Sequence, residues 1–123
     1  MRPRHSSPLA RTHVLPSGPA VRLRLARRAD LAAVRTLVRS RGVQPSDLAL
    51  RRLLTYYPAE RLVIAACAPI DGHDTLVGLG SIDLEADAEV DSLIIDERLT
   101  EGLGELLVSV LEGRAAAHSQ RVA

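Results

Sequence analysis

Residues 89–119 constrain the fold more than any other stretch of this chain. Residues 89–95 have the composition of a strand, and a short polar turn separates them from a long helical pattern that opens with Gly102 and Gly104. In that pattern the apolar residues recur at i, i+3, i+4, i+7 and i+8 and form one stripe: Leu103, Leu106, Leu107, Val110 and Leu111. Because such a stripe must be buried, the sequence predicts a strand-turn-helix unit that lies on a sheet.

The turn between this strand and helix is a candidate anion site. Backbone N–H groups at a helix start have no partner inside the helix, and the helix dipole is positive there. A P-loop is excluded, since Gly104 is followed by Glu105 and Leu106 where Lys and Ser or Thr are needed. A dinucleotide fingerprint is excluded too, because its third glycine would fall at Leu107.

Length and composition limit the remaining choices. A chain of 123 residues is long enough for one domain with a modest core. Residues 1–20 are polar and rich in proline without an apolar signal segment, which predicts a flexible arm in front of a domain over residues 21–123. No apolar run approaches the length of a membrane span, and the single cysteine, Cys67, fits a cytoplasmic location.

The net charge of +1 hides a strong asymmetry along the chain. Residues 1–20 carry +3 and residues 21–61 carry +7, whereas residues 62–123 carry −9. The half that holds the glycine turn is therefore acidic. Such a surface attracts an amine or a basic partner and repels a polyanion at long range.

The first part of the predicted domain contains one strand and two helices. Residues 21–25 alternate with period two, as a half-buried strand does. Asp30 is the expected N-cap of the first helix, and Gly42 its stop. The second helix is expected to end at Pro58 and to turn Tyr57 inward.

The second part predicts a meander of strands. Residues 62–68 form a nearly continuous apolar run, and residues 76–84 form a second strand that Gly78 and Gly80 interrupt. The connections are short, with a turn over residues 69–74. Together with residues 89–95 these strands predict antiparallel neighbours that the long helix closes.

The resulting order, β-α-α-β-β-β-α, resembles the first two-thirds of the GNAT N-acetyltransferase superfamily, over about residues 21–118. The stretch Leu99-Thr100-Glu101-Gly102-Leu103-Gly104 resembles the acyl-CoA signature of that superfamily, Arg/Gln-x-x-Gly-x-Gly/Ala. Both glycines match, and Leu99 replaces the leading Arg or Gln. The resemblance implies a mixed α+β fold, a mostly antiparallel sheet flanked by helices, without the usual C-terminal strands.

The resemblance also implies an acyl-CoA site. In GNAT enzymes the strand before the signature turn offers backbone groups to the pantetheine arm, here Ile94 and Ile95. The turn and helix start would hold the pyrophosphate of acetyl-CoA through the N–H groups of Thr100, Glu101, Gly102, Leu103, Gly104 and Glu105. Leu99 removes a side-chain contact, and the carboxylate of Glu101 would repel phosphate at short range.

The implied reaction is acyl transfer from a thioester to a primary amine, on a protein lysine or a small molecule. The amine must lose a proton, so a base is needed. Glu89, at the start of the signature strand, is the first candidate, Asp91 lies two residues on, and Glu85 is the runner-up. Each of these acids is also expected of a solvated strand face or turn.

A second interpretation stays open beside the enzymatic one. The missing C-terminal third, Leu99 and Glu101 favour a catalytically inactive GNAT-like module that regulates or dimerises. An exposed edge on the strand before the signature turn favours a homo-oligomer or a partner chain. The four histidines lack ligand spacing, so no metal is predicted, and no aromatic platform points to nucleic acid.

Overall fold

The computed structural model of the chain describes residues 11–16, 18–85 and 89–122. Its strands and helices follow in the order β1 (Thr12–Val14), β2 (Ala20–Leu25), α1 (Leu31–Ser40), α2 (Asp47–Leu53), β3 (Arg61–Ile70), β4 (His73–Asp83), β5 (Val90–Ile95) and α3 (Thr100–Val122). Short 3₁₀ turns at Arg28–Asp30 and Glu97–Leu99 lead into α1 and α3. The predicted order is confirmed from β2 to α3, and one strand precedes it.

The described strands form one antiparallel sheet in the order β1-β2-β3-β4-β5. β1 corrects the prediction of an arm over residues 1–20, because Thr12–Val14 pair with β2. Three residues carry too little periodicity to be recognised as a strand in the sequence. Residues 1–10 of the predicted arm, and the predicted connection at 86–88, lie outside the described residues.

The central strand β3 separates two hydrophobic cores. Its residues alternate between the faces, so that Leu62 and Ile64 pack with α3 while Val63 and Ala65 pack with α1 and α2. A strand that is buried on both faces needs a continuous apolar run, which explains why this segment lacks the polar alternation of β2. The sheet therefore lies between two helical layers.

Two glycines of β4 bring α3 close to the sheet. A Cβ atom at Gly78 would lie 3.2 Å from side-chain atoms of both Leu103 and Leu107. A Cβ atom at Gly80 would lie 2.9 Å from Leu111. The stripe of α3 thus packs against bare backbone, and this packing sets the position of the helix beside β5.

The end of the second helix differs from the prediction. α2 ends at Leu53, well before Pro58, so the helical phase that placed Tyr57 inward does not reach it. Tyr57 is 75% exposed. Tyr56 is the inward residue instead, and its hydroxyl donates a hydrogen bond to the carbonyl of Ala26 at 2.7 Å.

The start of α1 also differs in detail from the prediction. Asp30 precedes the helix but makes no side-chain cap to it. Its carboxylate accepts the backbone N–H of Arg27 at 2.8 Å and two hydrogen bonds from the guanidinium of Arg24, at 2.7 and 2.8 Å. The acid therefore closes the 3₁₀ turn and anchors β2 to it.

Candidate functional site

β5 is an edge strand in the described part of the chain, because it pairs with β4 alone. The N–H of Asp96, directly after β5, donates to the carbonyl of Val77 at 2.8 Å. Residues of an antiparallel strand alternate between facing the partner and facing away. By this alternation Ile94 faces β4, whereas the backbone groups of Leu93 and Ile95 face the free edge.

A β-bulge interrupts β5 before this edge. Ser81 pairs with Ser92 and Ile82 pairs with Val90, so Asp91 is the extra residue. A bulge redirects the side chain that it carries. The Asp91 carboxylate accepts a hydrogen bond from Ser81 at 2.5 Å and forms an ion pair with Arg61 at 2.8 Å.

This Arg61–Ser81–Asp91 cluster was not predicted. Ser81 is fully buried, and Arg61 also donates to its hydroxyl at 3.2 Å. The three residues come from three neighbouring strands, so only the sheet register brings them together. The one feature of the sequence that points to this cluster is the charged residue Arg61 directly before the apolar run of residues 62–68.

The turn after β5 is closed by the protein's own groups. The carboxylate of Asp96 accepts the N–H and the guanidinium of Arg98, with distances of 2.7 to 3.0 Å, and its carbonyl accepts the N–H of Leu99. The hydrogen bonds from Arg98 hold the pKa of Asp96 below its ordinary value, although burial opposes them. The N–H groups of residues 98 and 99 are therefore occupied.

The backbone then leaves helical geometry before α3 continues. Glu101 has φ −78° and ψ 108°, and Gly102 has φ 90°. A φ of this sign is open to glycine and strained for other residues. Regular helix resumes at Leu103, so the break lies in the N-terminal turn of α3, where the helix dipole is positive.

Pro16, in the loop between β1 and β2, lies against this break. A Cβ atom at Gly102 would come within 2.6 Å of the Pro16 ring. Two features of the fold therefore require glycine at position 102, its positive φ and this contact with Pro16. Gly104 differs, because a Cβ there would meet only Leu93, at an ordinary 3.8 Å.

Solved structures of other proteins share the fold of this chain. No family model and no curated protein sequence matches the chain. Among solved structures, the crystal structure of the GNAT domain of S. lividans PAT superposes with a TM-score of 0.69 at 14% identity, over 88% of this chain and 72% of that one. The chain has the GNAT fold.

A second solved structure has the same fold. The ribosomal-protein-alanine N-acetyltransferase from Brucella melitensis biovar Abortus 2308 superposes with a TM-score of 0.59 at 21% identity, over 80% of this chain and 74% of that one. Identities this low show a common fold, so the chemistry of this GNAT-fold protein must be argued from its own residues.

The residues predicted to hold acyl-CoA differ in their positions. Ile95 lies at the free edge, and Gly104 and Glu105 lie in the first turn of regular helix, whereas Ile94 faces β4. Leu99 is 5% exposed in the core beneath α3, which explains why an apolar residue stands at the head of the signature. Glu101 is exposed, and the side chain of Thr100 lies outside the described residues.

The predicted acids differ in how they are held. Asp91 is tied to Arg61 and Ser81, as described above. Glu89 is exposed immediately before β5. Glu85 is exposed after β4, and its N–H donates to the carboxylate of Asp83 at 2.9 Å. None of the contacts described for Asp91 involves Glu89 or Glu85.

Neither a metal-binding cluster nor a membrane-spanning helix occurs in the described ranges. No group of three or more His, Cys, Asp or Glu side chains in residues 11–16, 18–85 and 89–122 is placed to hold a metal ion. Over the same ranges no helix combines the length and apolarity needed to cross a bilayer.

Proposed function

We propose that this protein is an acyl-CoA-dependent N-acyltransferase that acts on a primary amine. The observation that carries the proposal is a free strand edge at Leu93 and Ile95 that runs, through a glycine-broken turn, into the first turn of α3, all within a GNAT fold. The edge offers backbone groups to an extended amide chain, and the helix start offers N–H groups to a pyrophosphate.

The residues present fit acetyl-CoA at both of these places. The backbone groups of Leu93 and Ile95 match the two amides of a pantetheine arm, and the N–H groups of Leu103, Gly104 and Glu105 match an anion. Bound acetyl-CoA supplies the thioester whose acyl group is transferred. Exposed Glu101 is the one unfavourable neighbour, and its repulsion of phosphate weakens with salt.

The base for the reaction is assigned to Glu89, with Asp91 and Glu85 as alternatives. The neutral amine nitrogen would attack the thioester carbonyl, so that a C–N bond forms as the C–S bond breaks and CoA leaves as its thiolate. The base would take the proton that the nitrogen loses and pass it to that thiolate or to solvent. Glu89 is preferred because it is exposed beside β5, whereas Asp91 is engaged by Arg61 and Ser81. These acids lie in residues 62–123, the acidic half of the chain, which favours a cationic acceptor such as a protein lysine or a small amine.

Binding and turnover test this function separately. Isothermal titration calorimetry with acetyl-CoA should show saturable 1:1 binding that strengthens when Glu101 is changed to Gln. Turnover of an amine substrate should fall about a hundredfold in Glu89→Gln, while exposed Glu60→Gln should keep the wild-type rate. Absence of binding at millimolar acetyl-CoA ends the proposal.

A non-catalytic module is the second candidate, and a specific observation favours it. Pro16 against Gly102 and buried Leu99 show that both signature positions serve the fold itself. In this case the free edge of β5 pairs with a second copy or a partner chain. Sedimentation would then show a dimer that Leu93→Lys dissociates, with no turnover, whereas activity lost on Glu89→Gln would exclude this candidate.

A further inference from the structure

A second concave site lies near the opposite edge of the sheet. It is a cavity of about 310 Å³ whose lining is dominated by arginine: Arg11, Arg22, Leu23, Arg24, Arg27, Cys67 and Asp74. Its lining contains none of the residues proposed to hold acyl-CoA, so the cavity is a separate candidate site. Nothing in the acyltransfer reaction uses its residues.

Period-two alternation on β2 builds one wall of the cavity. Val21 and Leu23 pack into the core under α3, so Arg22 and Arg24 point to the other face. On the neighbouring strand Cys67 pairs with Arg22 and forms part of the lining. Burial raises the pKa of the Cys67 thiol, which is therefore neutral at physiological pH and adds no negative charge.

Arg24 is held in place by a buried partner. The side chain of Asp30 is 7% exposed and binds both terminal nitrogens of the Arg24 guanidinium. This hydrogen bonding raises the pKa of Arg24, although its partial burial acts in the opposite direction. The guanidinium plane is thus preorganised without help from a ligand.

The charge of the cavity is not balanced by its own acids. Arg22 forms an ion pair with Asp74 at 2.7 Å, and Arg24 is paired with Asp30. The ion pairs among the described residues include neither Arg11 nor Arg27. Two positive charges therefore remain at the mouth, and both side chains are exposed enough to reach an entering anion.

We propose that this arginine cavity binds the doubly charged phosphate group of a small molecule. Two uncompensated guanidinium groups match a dianion in charge, and guanidinium forks match phosphate oxygens in geometry. A volume of about 310 Å³ is at the small end of ligand pockets, which favours a small phosphorylated compound over a macromolecule.

Nuclear magnetic resonance titration at constant ionic strength tests the site. Inorganic phosphate and glycerol 3-phosphate are added separately to the full chain, with sodium chloride adjusted to hold ionic strength. We expect saturable shifts of the Arg22, Arg24 and Arg27 Nε–H signals, with Kd at or below about 5 mM. Tighter binding of glycerol 3-phosphate would identify an organic phosphate as the ligand, and equal binding would identify the free ion.

Matched variants separate the cavity from general basicity. Arg27→Gln should raise Kd about five- to tenfold, because it removes one of the two uncompensated charges. Arg52→Gln makes the same charge change on the exposed surface of α2 and should leave Kd within about twofold. Shifts that never saturate, or an equal loss in both variants, would overturn the proposal; unchanged amide spectra elsewhere confirm folding.

Discussion

The segment that joins β2 to α1 and the segment that joins β5 to α3 begin in the same way, but their backbones then follow different courses. Both β2 and β5 end with an N–H that bonds the neighbouring strand, Ala26 to Val63 and Asp96 to Val77, each at 2.8 Å. Both then enter a 3₁₀ turn beside a buried aspartate: Asp30 is the last residue of the first turn, and Asp96 directly precedes the second. We call them the β2–α1 junction, residues 24–31, and the β5–α3 junction, residues 95–103.

The continuation of the backbone is what separates them. After Asp30 the chain passes directly into α1, with the carboxylate held by the Arg24 guanidinium and the Arg27 backbone N–H. After Asp96 the chain leaves helical geometry at Glu101 and Gly102 before α3 resumes. The first junction is therefore a closed anchor, and the second joins a strand with a free edge to a broken helix start.

The largest effect is expected at the anchor of the β2–α1 junction. Asp30→Asn leaves the Arg24 guanidinium, one third exposed, without its charged partner and should lower the free energy of unfolding by about 2 to 3 kcal/mol. Asp47→Asn breaks the exposed pair with Arg35 and should cost below about 1 kcal/mol. Urea unfolding of both variants measures the contrast, and equal losses would contradict the closed anchor.

The next effect concerns the broken backbone of the β5–α3 junction. Gly102→Ala forces a positive φ and a clash with Pro16, so unfolding should become easier by about 2 kcal/mol. Gly104→Ala meets no close atom and should stabilise the helix by about 0.5 to 1 kcal/mol. Opposite signs in thermal unfolding support this account. If Pro16→Ala restores none of the lost stability, the steric part is wrong.

A smaller effect distinguishes the two adjacent tyrosines. Tyr56→Phe removes the hydroxyl that donates to the Ala26 carbonyl and should cost about 1 kcal/mol. Tyr57→Phe changes an exposed side chain and should leave the free energy of unfolding within about 0.5 kcal/mol. Chemical denaturation of the pair tests the inward assignment. A loss confined to Tyr57→Phe would reverse it.

The last prediction concerns the acid response, which both junctions share. Burial alone would raise the pKa of Asp30, but hydrogen bonds from Arg24 and the Arg27 amide outweigh it, and the pKa falls below the ordinary 3.8. Because its pKa is lower in the folded state, the ionised carboxylate stabilises the fold at pH values above its unfolded-state pKa. This contribution is lost as pH falls through the folded-state pKa. The urea-midpoint difference between wild type and Asp30→Asn should therefore be full near neutral pH and shrink as pH falls below the ordinary carboxylate pKa of 3.8.

The local sequence pattern was enough to predict most of the strands and helices, and which face of each is buried. The stripe on α3 and the apolar run of β3 repeat often enough to determine their type. Tyr57 was misplaced because a helix phase was extended past the real end of α2. β1 was missed because three residues have no measurable period. Arg61, Ser81 and Asp91 were not linked because their contact depends on register across three strands.

The sequence by itself determined the order of strands and helices, the glycine-bearing turn and the separation of basic and acidic halves, because these follow from periodicity, composition and residue type. Only the tertiary structure decided that Pro16 lies on Gly102, that Ile95 and not Ile94 faces the free edge, and that four arginines converge on one cavity. Those facts depend on hydrogen-bond parity and on which distant residues meet when the sheet closes, and neither quantity is local to the chain.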